Sequence, residues 1–299
     1  MSNTILVTGA TGNVGSQLVK QLGETGVGFR VGARAADDAR AAGGTKAEVI
    51  EFDFNNRDTI SAALKGVEKM FLLTPLVPNM VELTSNAARE AKQAGVQQIV
   101  KLSGMGAGAE PGITLGRLHR EAEKIIEDSG IAFTHLRPSS FFQNYLGLPT
   151  IKTQGTFYLP LGEAKVSLVD TRDIAAVAVQ ALTKSGHERK AYNITGAEVF
   201  SSEQVAEILS DAAGRTISYV SVSAEDARQG MRGAGMSEWL ANLLVELYDF
   251  QRAGHMAEVS PVVEQVTGRK PFSFAQFAKD YAAAFKADSS AASSKSGKP

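Results

Sequence analysis

The chain has 299 residues, 43% of them hydrophobic and 21% charged, with 31 basic against 32 acidic side chains and a formal net charge of −1. That even balance leaves no electrostatic footprint for nucleic acid or an anionic membrane surface. The lack of cysteine excludes disulfides, thiol nucleophiles and cysteine-ligated metals. No apolar run approaches the roughly 18 residues of a membrane span, and the opening MSNTILVTGATG lacks the basic-then-apolar layout of a signal peptide. A cytoplasmic protein with no membrane or nucleic-acid partner is the expectation.

In chain order, residues 4–8 (TILVT) form an apolar run too short for a helix, and Val14, Leu18 and Leu22 then mark one face of a helix. Strands are predicted at 27–33 and 48–52, a helix at 57–65, a buried strand at 69–73 and a helix at 79–94 closed by Gly95. Residues 98–102 read as a strand. Leu115, Leu118, Ala122 and Ile125 make a helical stripe that ends near Gly130, and 132–136 is a sixth strand. Strands alternating with helices at this spacing mean βαβ units and a parallel sheet, with ligands at the C-terminal strand ends. Past Pro149 the rhythm changes: a loop, a strand at 166–169, a helix at 171–183, a strand at 192–195, then helices near 202–213, 225–232, 237–252, 260–267 and 273–285. The division expected is 1–149, then a smaller lobe at 150–286 with segments returning to the sheet. The polar tail at 287–299 is expected to be disordered.

The first strand runs straight into Gly9-Ala10-Thr11-Gly12-Asn13-Val14-Gly15. In this G-x-x-G-x-x-G pattern the first glycine permits a sharp turn, the second lets backbone approach a pyrophosphate, and the third lets helix pack close on strand. The helix N-terminus then presents free N–H groups and a positive dipole to phosphate. A strand before it and a helix after it are the confirming context for dinucleotide binding. The fold class expected is therefore α/β: a Rossmann doubly wound parallel sheet with a smaller, mostly helical C-terminal lobe. The second strand ends Arg30-Val31-Gly32-Ala33-Arg34 with no acid to bind a ribose 2′-hydroxyl. An arginine there suits a 2′-phosphate, so NADP(H) is expected over NAD(H), with Asp37 and Asp38 close enough to keep NAD(H) as second choice. Asp53 and Phe54 follow the third strand, where adenine would lie, or they belong to a helix N-cap region. Thr74-Pro75 and Ser103-Gly104 end the next two strands.

With those residues in place, the chain resembles the atypical short-chain dehydrogenase/reductases of the NmrA-like group. The matching stretches are TGATGNVG, FDFNN, LHREAEKIIEDSGIAFTHLRPSSFFQNYL, VSLVDTRDIAAVAV, YNITG and VTGRKPFSFAQFAKDYAAAF. Within the group it looks most like quinone oxidoreductases and triphenylmethane reductases. The resemblance implies that Gly9, Thr11, Gly12, Asn13, Val14 and Gly15 hold pyrophosphate and Arg34 the 2′-phosphate. It implies that Thr74, Pro75 and Ser103 line ribose and nicotinamide, that Pro138, Ser139 and Phe141 touch the nicotinamide, and that Phe142, Asn144 and Tyr145 face substrate. Phe141, Phe142 and Tyr145 have a second reading as core aromatics.

The Tyr-x-x-x-Lys pair usual in short-chain dehydrogenases is missing: Leu115 stands at the tyrosine position and His119 at the lysine position. An alkoxide formed by hydride attack needs a proton donor nearby, but a quinone yields a weakly basic phenolate and a triarylmethane cation needs no proton. His119 is the candidate catalytic residue, as acid or ribose contact, or else an exposed histidine paired with Glu123 one turn on. Asp170 and Asp173 read as helix-start residues. No metal site and no flavin are expected. The function expected is an NADPH-dependent oxidoreductase acting on a flat electron-poor small molecule such as a quinone or dye. The alternative is a dinucleotide redox sensor that acts through a protein partner. The sequence leaves the oligomeric state open.

Overall fold

The structure, a computed structural model, describes residues 4–34 and 47–287; Asp37, Asp38 and residues 288–299 of the polar tail lie outside the described residues. In chain order the first part runs β1 (Thr4–Thr8), α1 (Asn13–Gly23), β2 (Phe29–Ala33), β3 (Glu48–Glu51), α2 (Arg57–Ala63), β4 (Val67–Leu72), α3 (Met80–Gln93), β5 (Gln98–Leu102), α4 (Thr114–Asp128) and β6 (Ala132–Pro138). The remainder runs β7 (Ser140–Phe141), a 3-10 turn (Phe142–Gly147), α5 (Pro149–Gln154), β8 (Thr156–Leu159), β9 (Val166–Val169), α6 (Thr171–Thr183), β10 (Lys190–Ile194) and β11 (Val199–Phe200). It closes with α7 (Ser202–Ala213), β12 (Ser218–Ser221), α8 (Ala224–Gly233), α9 (Glu238–Arg252), α10 (Val262–Thr267), α11 (Phe274–Asp280) and α12 (Ala282–Phe285).

The chain divides into two compact units that interleave in sequence. One holds Met1–Ser139, Thr171–Thr195 and Ser260–Lys270; the other holds Ser140–Asp170, Gly196–Val259 and Pro271–Pro299. Within the first unit a seven-stranded sheet has the order β10-β6-β5-β4-β1-β2-β3 among the described residues. Every pairing in it is parallel. Strands covered by helices on both faces carry continuous apolar runs, and Ile5, Leu6, Val7, Met70, Phe71 and Leu72 are all buried. The strand order reverses between β1 and β4, the position at which open α/β sheets bind ligands. The sequence placed the strand near 192–195 in the later lobe, with a return to the sheet. In the structure β10 pairs with β6, Tyr192 opposite Leu136. Arg269, from the specific VTGRKPF block, pairs with the buried Asp173 in the first turn of α6 at 2.6 Å.

The second unit is helical with two small sheets, β11-β9-β7 and β12-β8. Those strands are two to four residues long, and all but β9 escape a periodicity reading because their partners are remote in sequence. The expected single helix at 273–285 is interrupted at Tyr281, where the backbone leaves the helical region. Its core is aromatic: Phe142, Phe274 and Phe277 lie ring against ring, with centroids 5.0 to 5.5 Å apart. Tyr145 and Phe157 extend the cluster. Among the described residues no helix is long and apolar enough to cross a membrane.

Phe277 is fully buried and also meets Tyr281 and Phe285. Phe277→Ala should therefore cost ~3–5 kcal/mol of stability, read as a fall in the urea unfolding midpoint.

Candidate cofactor and active site

The glycine loop has the geometry its spacing implied. Gly9 turns with φ 68°, a left-handed conformation, and its carbonyl accepts the Gly12 N–H at 3.1 Å. A Cβ on Gly15 would fall 2.0 Å from the Gly9 carbonyl oxygen, so helix and turn meet where no side chain fits. The end of α1 carries no side-chain cap and no acidic residue in its first turn, which leaves the positive helix end unneutralised. Thr11, Gly12 and Asn13 are exposed, and Val14 and Gly15 buried. Thr8 fixes the loop's origin across the reversal point: its hydroxyl donates to the Phe71 carbonyl at 3.1 Å and accepts the Leu73 N–H at 2.9 Å.

The neighbouring strand ends converge on the same edge of the sheet. Arg34 is exposed just past β2. Gly32 leaves room for Phe52, whose Cβ would lie 2.9 Å from a Cβ there. Phe54 packs edge-on against Phe52 at 5.0 Å. Asp53 Oδ1 accepts the Asn55 N–H at 2.9 Å, and the cap of α2 is Asn56, not Asp53. Thr74 is buried and shares a 3.0 Å hydrogen bond with Thr84; Pro75 is exposed.

At the ends of β5 and β6 lies a buried charged cluster. Glu123 is 0% exposed. It accepts from the Ser103 hydroxyl at 2.7 Å, from Arg137 Nε and Nη2 at 2.8 and 2.6 Å, and from Arg120 Nη1 at 3.2 Å. Burial alone would push its carboxyl up, but the hydrogen bonds from Arg137 and Ser103 outweigh it and hold the group below its ordinary range. Arg120 also forks onto Glu127 at 2.7 and 2.9 Å. Lys101 is fully buried beneath, donating to the Leu102 carbonyl at 2.9 Å, and burial lowers its pKa to about 8 against the opposing pull of Glu123. Glu123, Glu127 and His135 bring one ligand atom each within 4.8 Å of one another. Here the guanidinium groups of Arg120 and Arg137 hold the carboxylates, in the place of a cation.

His119 packs on this cluster's edge, with its ring against Gly104, where a Cβ would meet Cδ2 at 3.0 Å. The reading of an exposed histidine paired with Glu123 is corrected. His119 Nδ1 is buried without a hydrogen-bond partner among the described residues, and both Glu123 oxygens are taken by other donors. Burial, then the Lys101 charge, lowers the His119 pKa to about 3. His135, inside β6, is lowered to about 4, chiefly by burial, and its Nε2 lies 3.2 Å from Glu127 Oε1. Both rings are neutral near pH 7.

The remaining expected site residues divide. Pro138 and Ser139 are buried at the end of β6, and the Ser139 hydroxyl has no hydrogen-bond partner among the described residues. In the second unit Phe141 is half-buried on β7, Asn144 is exposed, and Phe142 and Tyr145 lie within the aromatic core. Asp170 accepts from Gln143 Nε2 at 3.0 Å. Glu123, Arg137 and Lys101 went unread as a cluster. Their signal was present, as a lysine in β5 (QIVKL) and an arginine in β6 (AFTHLRP), two charged residues inside strands of a sheet covered on both faces.

The profile of the NmrA-like family matches residues 1–277. The NAD(P)H azoreductase of Xenophilus azovorans is 44% identical over 284 residues, 95% of this chain and 99% of that protein. The NADPH-dependent quinone oxidoreductase of Escherichia coli, solved in complex with NADPH, aligns with a TM-score of 0.83 at 27% identity over 92% of this chain and 99% of that one. The Citrobacter sp. triphenylmethane reductase, solved with NADP(H), gives a TM-score of 0.81 at 25% identity over 93% and 99%.

The neutral histidines set a pH dependence. In the unfolded chain a histidine titrates near ~6.5, well above the folded values of about 3 and about 4. Between those limits the unfolded state binds more protons, so stability is full above pH ~6.5 and falls as the pH drops toward 4, by up to ~1.4 kcal/mol per pH unit for each ring. Urea midpoints at neutral pH and at pH ~5 should differ in the parent chain, and His119→Gln should narrow the gap.

Proposed function

Since the chain belongs to the NmrA-like family, we propose that it is an NADPH-dependent oxidoreductase that delivers hydride to a flat, electron-poor small molecule, a quinone or a dye. The observation that carries this reading is the uncapped glycine cradle at the strand-order reversal, in a chain similar along its length to an NAD(P)H azoreductase. In this reading Gly9, Thr11, Gly12, Asn13, Val14 and Gly15 bind the pyrophosphate, and Asp53 and Phe54 lie beside the adenine. Thr74, Pro75, Ser103, Pro138 and Ser139 are assigned to the nicotinamide half, with Phe141 as a further nicotinamide contact, and Phe142, Asn144 and Tyr145 are assigned to the substrate.

The proton economy supports the acceptor class. Leu115 replaces the usual tyrosine. His119, with its pKa near 3, offers no imidazolium at neutral pH, and the Ser103 proton is committed to Glu123. Hydride addition at one quinone oxygen forms an O–H bond and leaves the other oxygen as an aromatic phenolate, which water protonates afterwards. The protein's task is then to position nicotinamide against acceptor and exclude competing reactions. His119 contributes as a neutral ring beside Gly104, outside proton transfer.

The direct test follows NADPH oxidation against quinones, azo dyes, triarylmethane dyes and simple carbonyls. Saturable turnover with quinones or dyes and none with simple ketones is the expected result. Tight NADPH binding without turnover on any of them would instead make the protein a dinucleotide-binding regulator.

Arg34 carries the cofactor preference. One arginine–phosphate contact contributes ~1.5–3 kcal/mol, so Arg34→Ala should lower the ratio of NADPH to NADH affinity by roughly 10- to 100-fold. Calorimetric titration of both cofactors checks it.

A further inference from the structure

The buried carboxylate of Glu123 has a consequence for the group in front of it. Two arginines surround Glu123 and leave it ionised, with no proton to give. A serine hydroxyl has one proton and two lone pairs. At 2.7 Å from Glu123 Oε1, with no hydrogen on the other side, the Ser103 hydroxyl must spend its proton on that contact. What Oγ has left for any other neighbour is lone pairs. The backbone of Ser103 is fixed as well, since its N–H donates to the Leu136 carbonyl at 2.7 Å.

We propose that Glu123 is a positioning residue that turns the Ser103 hydroxyl into an obligate acceptor for the carboxamide N–H of the bound nicotinamide. The inference rests on the reading that NADPH binds with its nicotinamide half beside Ser103. The carboxamide nitrogen donates and never accepts, so it is the group on that half of the cofactor that an acceptor-only hydroxyl selects. Ribose hydroxyls serve either role and gain nothing from such a device. Holding the carboxamide fixes which face of the ring points toward the acceptor. Glu123 itself touches neither cofactor nor substrate and acts through Ser103.

The test compares three ligands by calorimetry: NADPH, its 3-acetylpyridine analogue, which keeps the carbonyl but has no N–H, and 2′,5′-ADP, which lacks the nicotinamide half. Ser103→Ala leaves Glu123 paired with both arginines. It should weaken NADPH by ~10-fold while leaving the acetylpyridine analogue and 2′,5′-ADP unchanged. Glu123→Gln should weaken NADPH by a similar factor. The double variant should bind no more weakly than Ser103→Ala alone, whereas a role for Glu123 in folding alone would multiply the two losses. An equal loss for NADPH and the analogue in Ser103→Ala, or no loss at all, overturns the proposal. That comparison stands without the Glu123 variant, should its unpaired arginines prevent folding. Failure of the unaltered protein to bind NADPH would refute the cofactor reading instead.

Discussion

At Gly15 the first helix and the turn before it meet with no room for a methyl group, 2.0 Å being all that separates a built Cβ from the Gly9 oxygen. The geometry of the glycine turn depends on that contact. It lets α1 start hard against the end of β1, so that its uncapped N-terminus faces the gap where the strand order reverses. The Thr8 hydroxyl bonds β1 to the end of β4 across the same gap.

A second constraint acts two strands away. Burying Lys101, Glu123, Arg137 and His135 together is costly unless each charge meets an opposite one with satisfied hydrogen bonds. Glu123 meets that condition by gathering Arg120, Arg137 and Ser103, whereas Lys101 has the Leu102 carbonyl as its hydrogen-bond partner and its pKa is lowered to about 8 by burial. The result is a link between α4, β5 and β6, and two histidines that stay neutral chiefly because burial disfavours the charged imidazolium, with the Lys101 charge adding to it. Among the described residues at the ends of β5 and β6, neither the ionised Glu123 nor the neutral His119 offers a proton near pH 7. Acceptors whose reduction products are weak bases are the chemistry that such a site accommodates.

Much of the fold was legible in order along the chain. β5, β9, α6 and α7 fall where apolar runs and helical stripes put them, because each of those signals is local: one buried face, one cap, one glycine stop. The strands β8 and β12 were not legible. Four residues such as Thr156–Leu159 become a strand by pairing with Ser218–Ser221, some sixty residues on, and nothing in either segment names the other.

The sequence by itself determined the glycine cradle, the parallel sheet and Arg34 at the end of the second strand, since these follow from backbone sterics and spacing over a few residues. It determined, too, that the usual tyrosine acid is missing. Only the tertiary structure decided what the charged residues do. Glu123 was one helical acid among several until folding set it against Ser103 and Arg137, and His119 was a titratable histidine until burial beside Lys101 removed its charge. The reason is physical: burial and the partner brought in from a distant strand set hydrogen-bond direction and protonation, and neither is written in the local sequence.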